Sequence, residues 1–214
     1  MSAHAEPSRR EAEPSRREKA PRRAETVLAH IGTSSDPGTG ALTAPIYLST
    51  AYAHPGLGAS TGYDYTRTAN PTRDVLQSAL AQIEGGTAGF ATSSGMAAAE
   101  LVVSLAAPGS RIVAAEDIYG GTFRYFDELA RTGVYDVDFA IGEQGLCAAL
   151  SKPADLVFIE TPTNPMMVEI DIERIVDMGR RAGAIVAVDN TFYTPIFQRP
   201  LESGADVVLH SATK

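Results

Sequence analysis

Cysteine occurs once, at Cys147, and tryptophan is absent from the 214 residues. A single thiol excludes an intramolecular disulfide, so the fold must rest on an apolar core, and 44% hydrophobic content in a chain of this length is enough to form one. Histidine is sparse too. His4, His30, His54 and His210 lie far apart, and none stands at metal-ligand spacing from another histidine or from Cys147, so no metal site is expected. No apolar run reaches the length of a signal peptide or a membrane span, and the expected compartment is the cytoplasm, with no membrane partner. Positive charge is scarce beyond the N-terminus. The first 25 residues contain seven of the 18 Lys and Arg and five of the 26 acids; the remainder holds 11 basic residues against 21 acidic ones, a net of −10. So acidic a body argues against nucleic acid as a main partner.

What is present divides the chain into three. Ala5 to Glu11 (AEPSRRE) recurs at once as Ala12 to Glu18, and residues 1–23 are rich in charge, proline and serine with little apolar to bury. They are expected to form a disordered tail, solvated rather than bound to nucleic acid or a membrane surface, because glutamates break up its basic residues. Residues 24–70 hold a short helix from Ala24, then a loop rich in Gly, Ser, Pro and Thr from Gly32 to Gly40. From residue 71 onward the elements become strong. Asn70 as cap, Pro71 in the first turn, apolar residues Val75, Leu76, Ala79, Leu80 and Ile83 at helical spacing, and the stop Gly85-Gly86 predict a helix over 71–84. Alternation then follows: a strand at 88–92, a helix at 95–106, a strand at 111–115, a helix at 121–130, strands at 137–141 and 156–160, a helix at 171–182, and strands at 185–189 and 207–210. LVFIE and IVAVD are apolar nearly throughout, the mark of strands buried on both faces, so an α/β fold with a mostly parallel sheet covered by helices is expected. Ligands in such folds gather at the carboxyl ends of the strands.

Polar residues of distinct chemistry fall at those ends. In Thr92-Ser93-Ser94-Gly95-Met96 a strand turns into a helix whose first N–H groups could seat a phosphate; an ordinary cap by Ser93 or Ser94 explains the segment equally, and no Walker loop is present. Asp189 ends the strand IVAVD, either as a cap or as partner of a cationic ligand group. Were that group a pyridine nitrogen about 4 Å away, the carboxylate would favour its protonation by about 4 kcal/mol at an effective dielectric near 20, roughly three pKa units. Lys214 follows His210-Ser211-Ala212-Thr213 beyond the final strand. Alone it would read as a solvated lysine. Beside hydroxyls and a phosphate seat it reads as an amine nucleophile toward an aldehyde and, once displaced, as a base. Tyr119, next to Gly120 and Gly121, could stack on a flat ligand or simply pack, and Arg67, in Tyr63-Asp64-Tyr65-Thr66-Arg67, could pair with a phosphate or lie on a plain surface loop or oligomer contact.

Taken in order, Tyr65-Thr66-Arg67 with Asn70-Pro71-Thr72-Arg73, Ser94-Gly95-Met96-Ala97-Ala98, Tyr119-Gly120-Gly121-Thr122, Glu160-Thr161-Pro162-Thr163-Asn164-Pro165, Val188-Asp189-Asn190-Thr191-Phe192 and His210-Ser211-Ala212-Thr213-Lys214 resemble one family. It is the Cys/Met-metabolism enzymes dependent on pyridoxal 5'-phosphate (PLP), which share the aspartate aminotransferase-like fold, fold type I. The resemblance runs from about Thr26 to Lys214. It implies that Lys214 holds PLP as a Schiff base, that Asp189 pairs with the ring nitrogen, that Tyr119 stacks on the ring, and that Asn164 meets its hydroxyl side. It implies a phosphate held by Ser94, Gly95 and Met96 at the helix start with Ser211 and Thr213, and it counts Thr191 with the cofactor-binding residues. Tyr65 and Arg67 would reach the cofactor of a neighbouring subunit, making a catalytic dimer, paired into a homotetramer, with residues 24–70 as the intersubunit arm and 71–214 as the large PLP-binding domain.

The implied chemistry acts on a small amino acid: the substrate amine displaces Lys214, which then moves the α-proton while the pyridinium absorbs charge and the γ-substituent leaves, with help from Tyr119. Pro45-Ile46-Tyr47-Leu48-Ser49-Thr50-Ala51-Tyr52 with Gly62-Tyr63-Asp64-Tyr65 looks most like bacterial cystathionine γ-synthase and O-acetylhomoserine thiol-lyase sequences. Gly121 stands where methionine γ-lyases carry a cysteine. The expected reaction is γ-replacement on an O-acylhomoserine by cysteine or sulfide, with cystathionine γ- or β-lyase as the alternative and a non-catalytic α/β fragment as the alternative outside enzymes. Members of the family continue well past the Schiff-base lysine. The C-terminal part, with the arginine that grips the substrate carboxylate, is therefore expected to be absent from this chain, interrupted either at a PLP-modified lysine, the favoured expectation, or as a gene fragment.

Overall fold

A computed structural model of the chain describes residues 23–33 and 36–214. The repetitive tail expected over residues 1–23 lies outside the described residues but for Arg23, so its expected disorder is not among the features that follow. Among the described residues seven helices and five strands succeed one another: α1 (Ala24–His30), α2 (Pro71–Glu84), α3 (Gly95–Val103), β1 (Arg111–Ala115), α4 (Gly120–Arg131), β2 (Asp136–Ala140), α5 (Gly142–Ala149), β3 (Leu156–Glu160), α6 (Ile172–Ala182), β4 (Ile185–Asp189), α7 (Thr194–Phe197) and β5 (Val207–Leu209).

All five strands are parallel, in the order β2-β1-β3-β4-β5. Parallel neighbours need a crossover, and right-handed crossovers place helices on both faces. Here the chain moves outward from β1 to β2 through α4, then returns across β1 to β3 through α5 and onward through α6, so α5 and α6 pack together while α3 and α4 share the other side. Burial on two faces accounts for the continuous apolar runs: β3 is buried at all five positions and β4 at its last four. Phe158 of β3 meets Phe126 of α4 edge-on at 5.1 Å, and both are fully buried.

Local chemistry ends the helices where the sequence indicates. Asn70 Oδ1 accepts from the Thr72 and Arg73 N–H groups, and Gly85 adopts φ 73° to stop α2. Asp171 caps α6 through the Arg174 N–H, and Gly183 closes it at φ 82°. The amphipathic face of α6 buries Ile172, Ile175, Val176 and Gly179. Gly179 sets the distance to the sheet, since a Cβ there would lie 2.5 Å from Cγ2 of Val186 in β4.

Several expected boundaries need correction. No strand forms at 88–92 among the described residues: a Cβ on Gly89 would sit 2.3 Å from the Gln77 carbonyl, and the Ala91 N–H donates to Gln77 Oε1, so this stretch is held by α2 instead of a ladder. Helix α3 stops at Val103, not Ala106, with Ser104 Oγ donating to the Leu101 carbonyl. The second strand begins at Asp136 and ends at Ala140, one residue earlier than expected at each end, and the last strand ends at Leu209. Helices α5 and α7 were not anticipated; α5 carries two glycines, one of which, Gly145, lets it approach the Ala140 backbone. Among the described residues no helix is long and apolar enough to cross a membrane.

Because Gly179 brings α6 onto the strand that ends in Asp189, Gly179→Ala is expected to destabilise the fold by about 1–3 kcal/mol through overpacking. Chemical denaturation measures this, and an unchanged midpoint would show that β4 and α6 separate without cost.

Candidate active site

Five chain segments meet at the carboxyl ends of the strands: the start of α3, the turn after β1, the loop after β3, the turn after β4 and the residues after β5. The strand order reverses direction between β1 and β3, the kind of switch point at which ligands gather in parallel sheets.

The start of α3 is capped by Ser94, whose Oγ accepts from the Ala97 N–H at 3.1 Å, leaving the N–H groups of Gly95 and Met96 at the positive end of the helix dipole. A Cβ on Gly95 would lie 2.8 Å from Ser211 Cβ and 3.0 Å from its Oγ, so only glycine lets the helix start close onto the segment after β5. Ser211 is tied in turn to β4: its N–H donates to Thr191 Oγ1 at 2.9 Å, and Thr191 donates both its Oγ1–H (2.5 Å) and its N–H (3.0 Å) to Asp189 Oδ1. The two ends of the site are thus joined by one short path, Asp189 to Thr191 to Ser211 to Gly95. Both Thr191 bonds fall on Oδ1, so Asp189 Oδ2 has no hydrogen-bond partner among the described residues. Burial pushes the Asp189 carboxyl above its ordinary value, opposed by the two Thr191 bonds and by the charge of His210.

Tyr119 precedes α4, half-exposed, its ring folded back over Gly121, where a Cβ would sit 2.4 Å from Tyr119 Cε1. Its N–H donates to Glu160 Oε2 at 2.7 Å. Asn164 lies in the loop after β3, between the cis bonds Thr161–Pro162 and Asn164–Pro165, and its N–H faces the Glu160 carboxylate, opposing the rise of its pKa. Lys214 is exposed, and its N–H closes a turn onto the Ser211 carbonyl at 3.1 Å. Thr213 is exposed beside it, and Met96 receives a contact from Thr122 Oγ1 at 3.8 Å to its sulfur. Tyr65 and Arg67 stand apart. Arg67 stacks over the Tyr65 ring and donates to its hydroxyl, and no hydrogen bond or ion pair among the described residues joins either one to this cluster.

Glu160 was not among the residues singled out from the sequence, although it opens a motif that was. It is buried, register-paired with Asp189, and pushed up to about 7, first by burial and then by the charges of Asp189 and Asp117, against the N–H groups of Tyr119 and Asn164. A partly buried pair, His210 Nε2 to Glu84 Oε1 at 2.5 Å, holds the end of β5 to the end of α2. Those partners are 126 positions apart, and nothing local marks them. Among the described residues no group of three or more His, Cys, Asp or Glu side chains is placed to hold a metal.

A parallel α/β sheet with an open helix start, a buried acid at a strand end and a lysine after the neighbouring strand has the frame of a fold-type I PLP-binding domain. The family model described as Cys/Met metabolism PLP-dependent enzyme matches residues 25–214, and the chain belongs to that family. It is 51% identical over 194 residues to a cystathionine gamma-synthase/O-acetylhomoserine (thiol)-lyase of Bacillus subtilis, covering 89% of this chain and 52% of that protein. It is 44% identical over 192 residues to a cystathionine beta-lyase of Lactococcus lactis subsp. cremoris, covering 89% of this chain and 50% of the other. Among solved structures it is similar to a cystathionine gamma synthase from Xanthomonas oryzae pv. oryzae in complex with cystathionine, at TM-score 0.88 and 42% identity over 91% of this chain and 51% of that one. The chain spans about half the length of the curated relatives it matches.

The folded state binds a proton at Glu160 more tightly than the unfolded chain does. Its contribution to stability is therefore complete below about pH 4.5 and is lost as pH rises through about 7. Relative to Glu160→Gln, which cannot ionise, the wild type should lose on the order of 2 kcal/mol over that interval after solvent screening. Urea denaturation of both proteins on either side of it gives the difference, and parallel pH profiles would refute the burial of this charge.

Proposed function

We propose that the chain is the cofactor-binding half of a PLP-dependent enzyme that acts at Cγ of an O-acylhomoserine, replacing the acyl group by cysteine or sulfide. The observation that carries this reading is the joining of two features in one place. An anion seat closed by Gly95 against Ser211 is hydrogen-bonded through Thr191 to an acid whose second oxygen is free to meet a cation. A flat molecule with a phosphate at one end and a basic ring nitrogen at the other matches both. Bound there, PLP would supply the electron sink for charge developing at the substrate's α- and β-carbons.

This chain's own residues would do the rest. The N–H groups of Gly95 and Met96, with the hydroxyls of Ser94, Ser211 and Thr213, would bind the phosphate. Asp189, oriented by Thr191, would hold a positive charge on the ring, Tyr119 would cover one face, and Asn164 would meet the ring's hydroxyl side. The Lys214 amine would hold the cofactor in the resting state and, when free, carry the α-proton, with the Tyr119 hydroxyl available to assist at the leaving group. Residues 24–70 would form an arm toward a second copy, placing Tyr65 and Arg67 at its phosphate in a dimer paired into a tetramer. The pairing of Tyr65 with Arg67 and the exposure of Leu42, Ile46 and Leu48 along that arm support the arrangement. The 51% identity to the synthase/thiol-lyase supports replacement, while a cystathionine gamma-synthase and a beta-lyase stand level at 44%.

Borohydride reduction of the purified protein followed by peptide mapping is expected to yield a phosphopyridoxyl group on Lys214; its absence from a protein incubated with PLP would overturn the cofactor assignment. O-acetylhomoserine plus cysteine should give cystathionine faster than cystathionine alone is cleaved, and the reverse ranking would make the enzyme a lyase.

A further inference from the structure

Glu160 has no part in the chemistry proposed for the site, yet it lies buried in the middle of it. It ends β3 beside Asp189 of β4, is 5% exposed, and accepts the Tyr119 N–H at 2.7 Å, while the Asn164 N–H faces the same carboxylate. Those two donors lie on different loops, one after β1 and one after β3. A second link joins the same two loops: Thr163 Oγ1 donates to Asp117 Oδ2 at 2.5 Å. A carboxylate suits this place because both groups that meet it are donors. It offers acceptors on both oxygens, whereas a glutamine would offer one and turn an NH2 toward the second N–H. An acid buried beside Asp189 and Asp117 is otherwise a costly choice, and an apolar residue at the end of a strand buried on both faces would be the ordinary one.

We propose that Glu160 is a positioning residue, fixing through the N–H groups of Tyr119 and Asn164 the two loops that receive the cofactor ring, at a set distance from Asp189. This rests on the PLP reading for what the loops receive, while the tie itself lies within this chain. Its strength depends on charge, since N–H donors bind an ionised carboxylate about twice as well as a neutral one. The groups that face Glu160 are the carboxylates of Asp117 and Asp189, which oppose its ionisation, and beyond Asp189 stands His210, held by Glu84. A cation held by Asp189 would favour ionised Glu160, and by linkage ionised Glu160 would favour that cation. Ring binding and loop placement would then reinforce one another across neutral pH, where Glu160 changes charge.

The test compares wild type, Glu160→Gln and Glu160→Ala as full chains, by the dissociation constant for PLP and the induced circular dichroism of the bound cofactor as pH crosses 7. Glu160→Ala should bind PLP about tenfold more weakly, for loss of the charge-assisted hydrogen bond to Tyr119 and of the charge that faces the Asn164 N–H. Glu160→Gln should fall between it and wild type, and the inflection near pH 7 in the dichroism should vanish from both variants. Variants that keep wild-type affinity, dichroism and inflection would overturn the inference. So would a lowered unfolding midpoint with cofactor affinity per folded molecule unchanged, because that is the mark of a purely structural acid. Wild-type protein that takes up no PLP would sink the functional reading and this inference with it, whereas uptake by wild type with unaltered variants would sink the inference alone.

Discussion

Parallel pairing of β1, β3, β4 and β5 is the constraint from which the site follows. Strands that all point one way put every carboxyl end on the same rim, and each crossover must return the chain through a helix before the next strand can start. With β2 added on the far side of β1, the chains leaving β1 and β3 head for opposite faces of the sheet, and hydrogen bonds tie their loops together at the rim. The interior of this sheet is apolar because it is covered on both faces, so polar side chains concentrate on the rim. Glu160 and Asp189, in register on β3 and β4, are the last residues before the strands release their chains.

Such concentration has an electrostatic consequence. Glu160, Asp189 and Asp117 crowd one rim of a chain whose body is already acidic, and their mutual repulsion adds to the cost of burial. The fold offsets it mainly with neutral donors, the backbone N–H groups of Tyr119, Asn164 and Thr191 and the hydroxyls of Thr191 and Thr163, to which His210 adds its charge beside Asp189. Donors of this kind fix position more than they neutralise charge. The rim is left with unspent attraction for a cation, and the helix start a few residues away with attraction for an anion.

Features with a local cause were legible in the sequence. Asn70, Pro71 and Gly85-Gly86 set the limits of α2 to the residue, and LVFIE and IVAVD declared buried parallel strands because no half-exposed strand tolerates such runs. The residues at the strand ends could be named for the same reason, polar chemistry being conspicuous beside an apolar run. Interactions between distant segments were not legible. Nothing in GEQGLCAA, with two glycines and weak periodicity, announces α5, whose place depends on Gly145 fitting against Ala140. Residues 88–92 have the composition of a strand, but a strand is defined by its neighbour, and here the neighbour is α2. Glu160 looked like the last residue of a core strand until Tyr119, 41 positions away, was seen to donate to it.

Thr191 shows how few atoms hold the site together. One hydroxyl donates to Asp189 and accepts from the N–H of Ser211, so it fixes at once the rotamer of the buried acid and the path of the chain leaving β5. Ser211 then meets Gly95 at a distance no side chain permits, which registers the start of α3 against β5. The Lys214 turn closes on the Ser211 carbonyl, so the lysine is carried by the same residue that packs on the start of α3. Acid, helix start and lysine belong to three separate segments, but a displacement of any one is transmitted to the others through Thr191 and Ser211. That explains why small residues and short hydroxyls, not large ones, occupy the junction: each must be within hydrogen-bond or van der Waals reach of two neighbours at once, and only short side chains leave room for both.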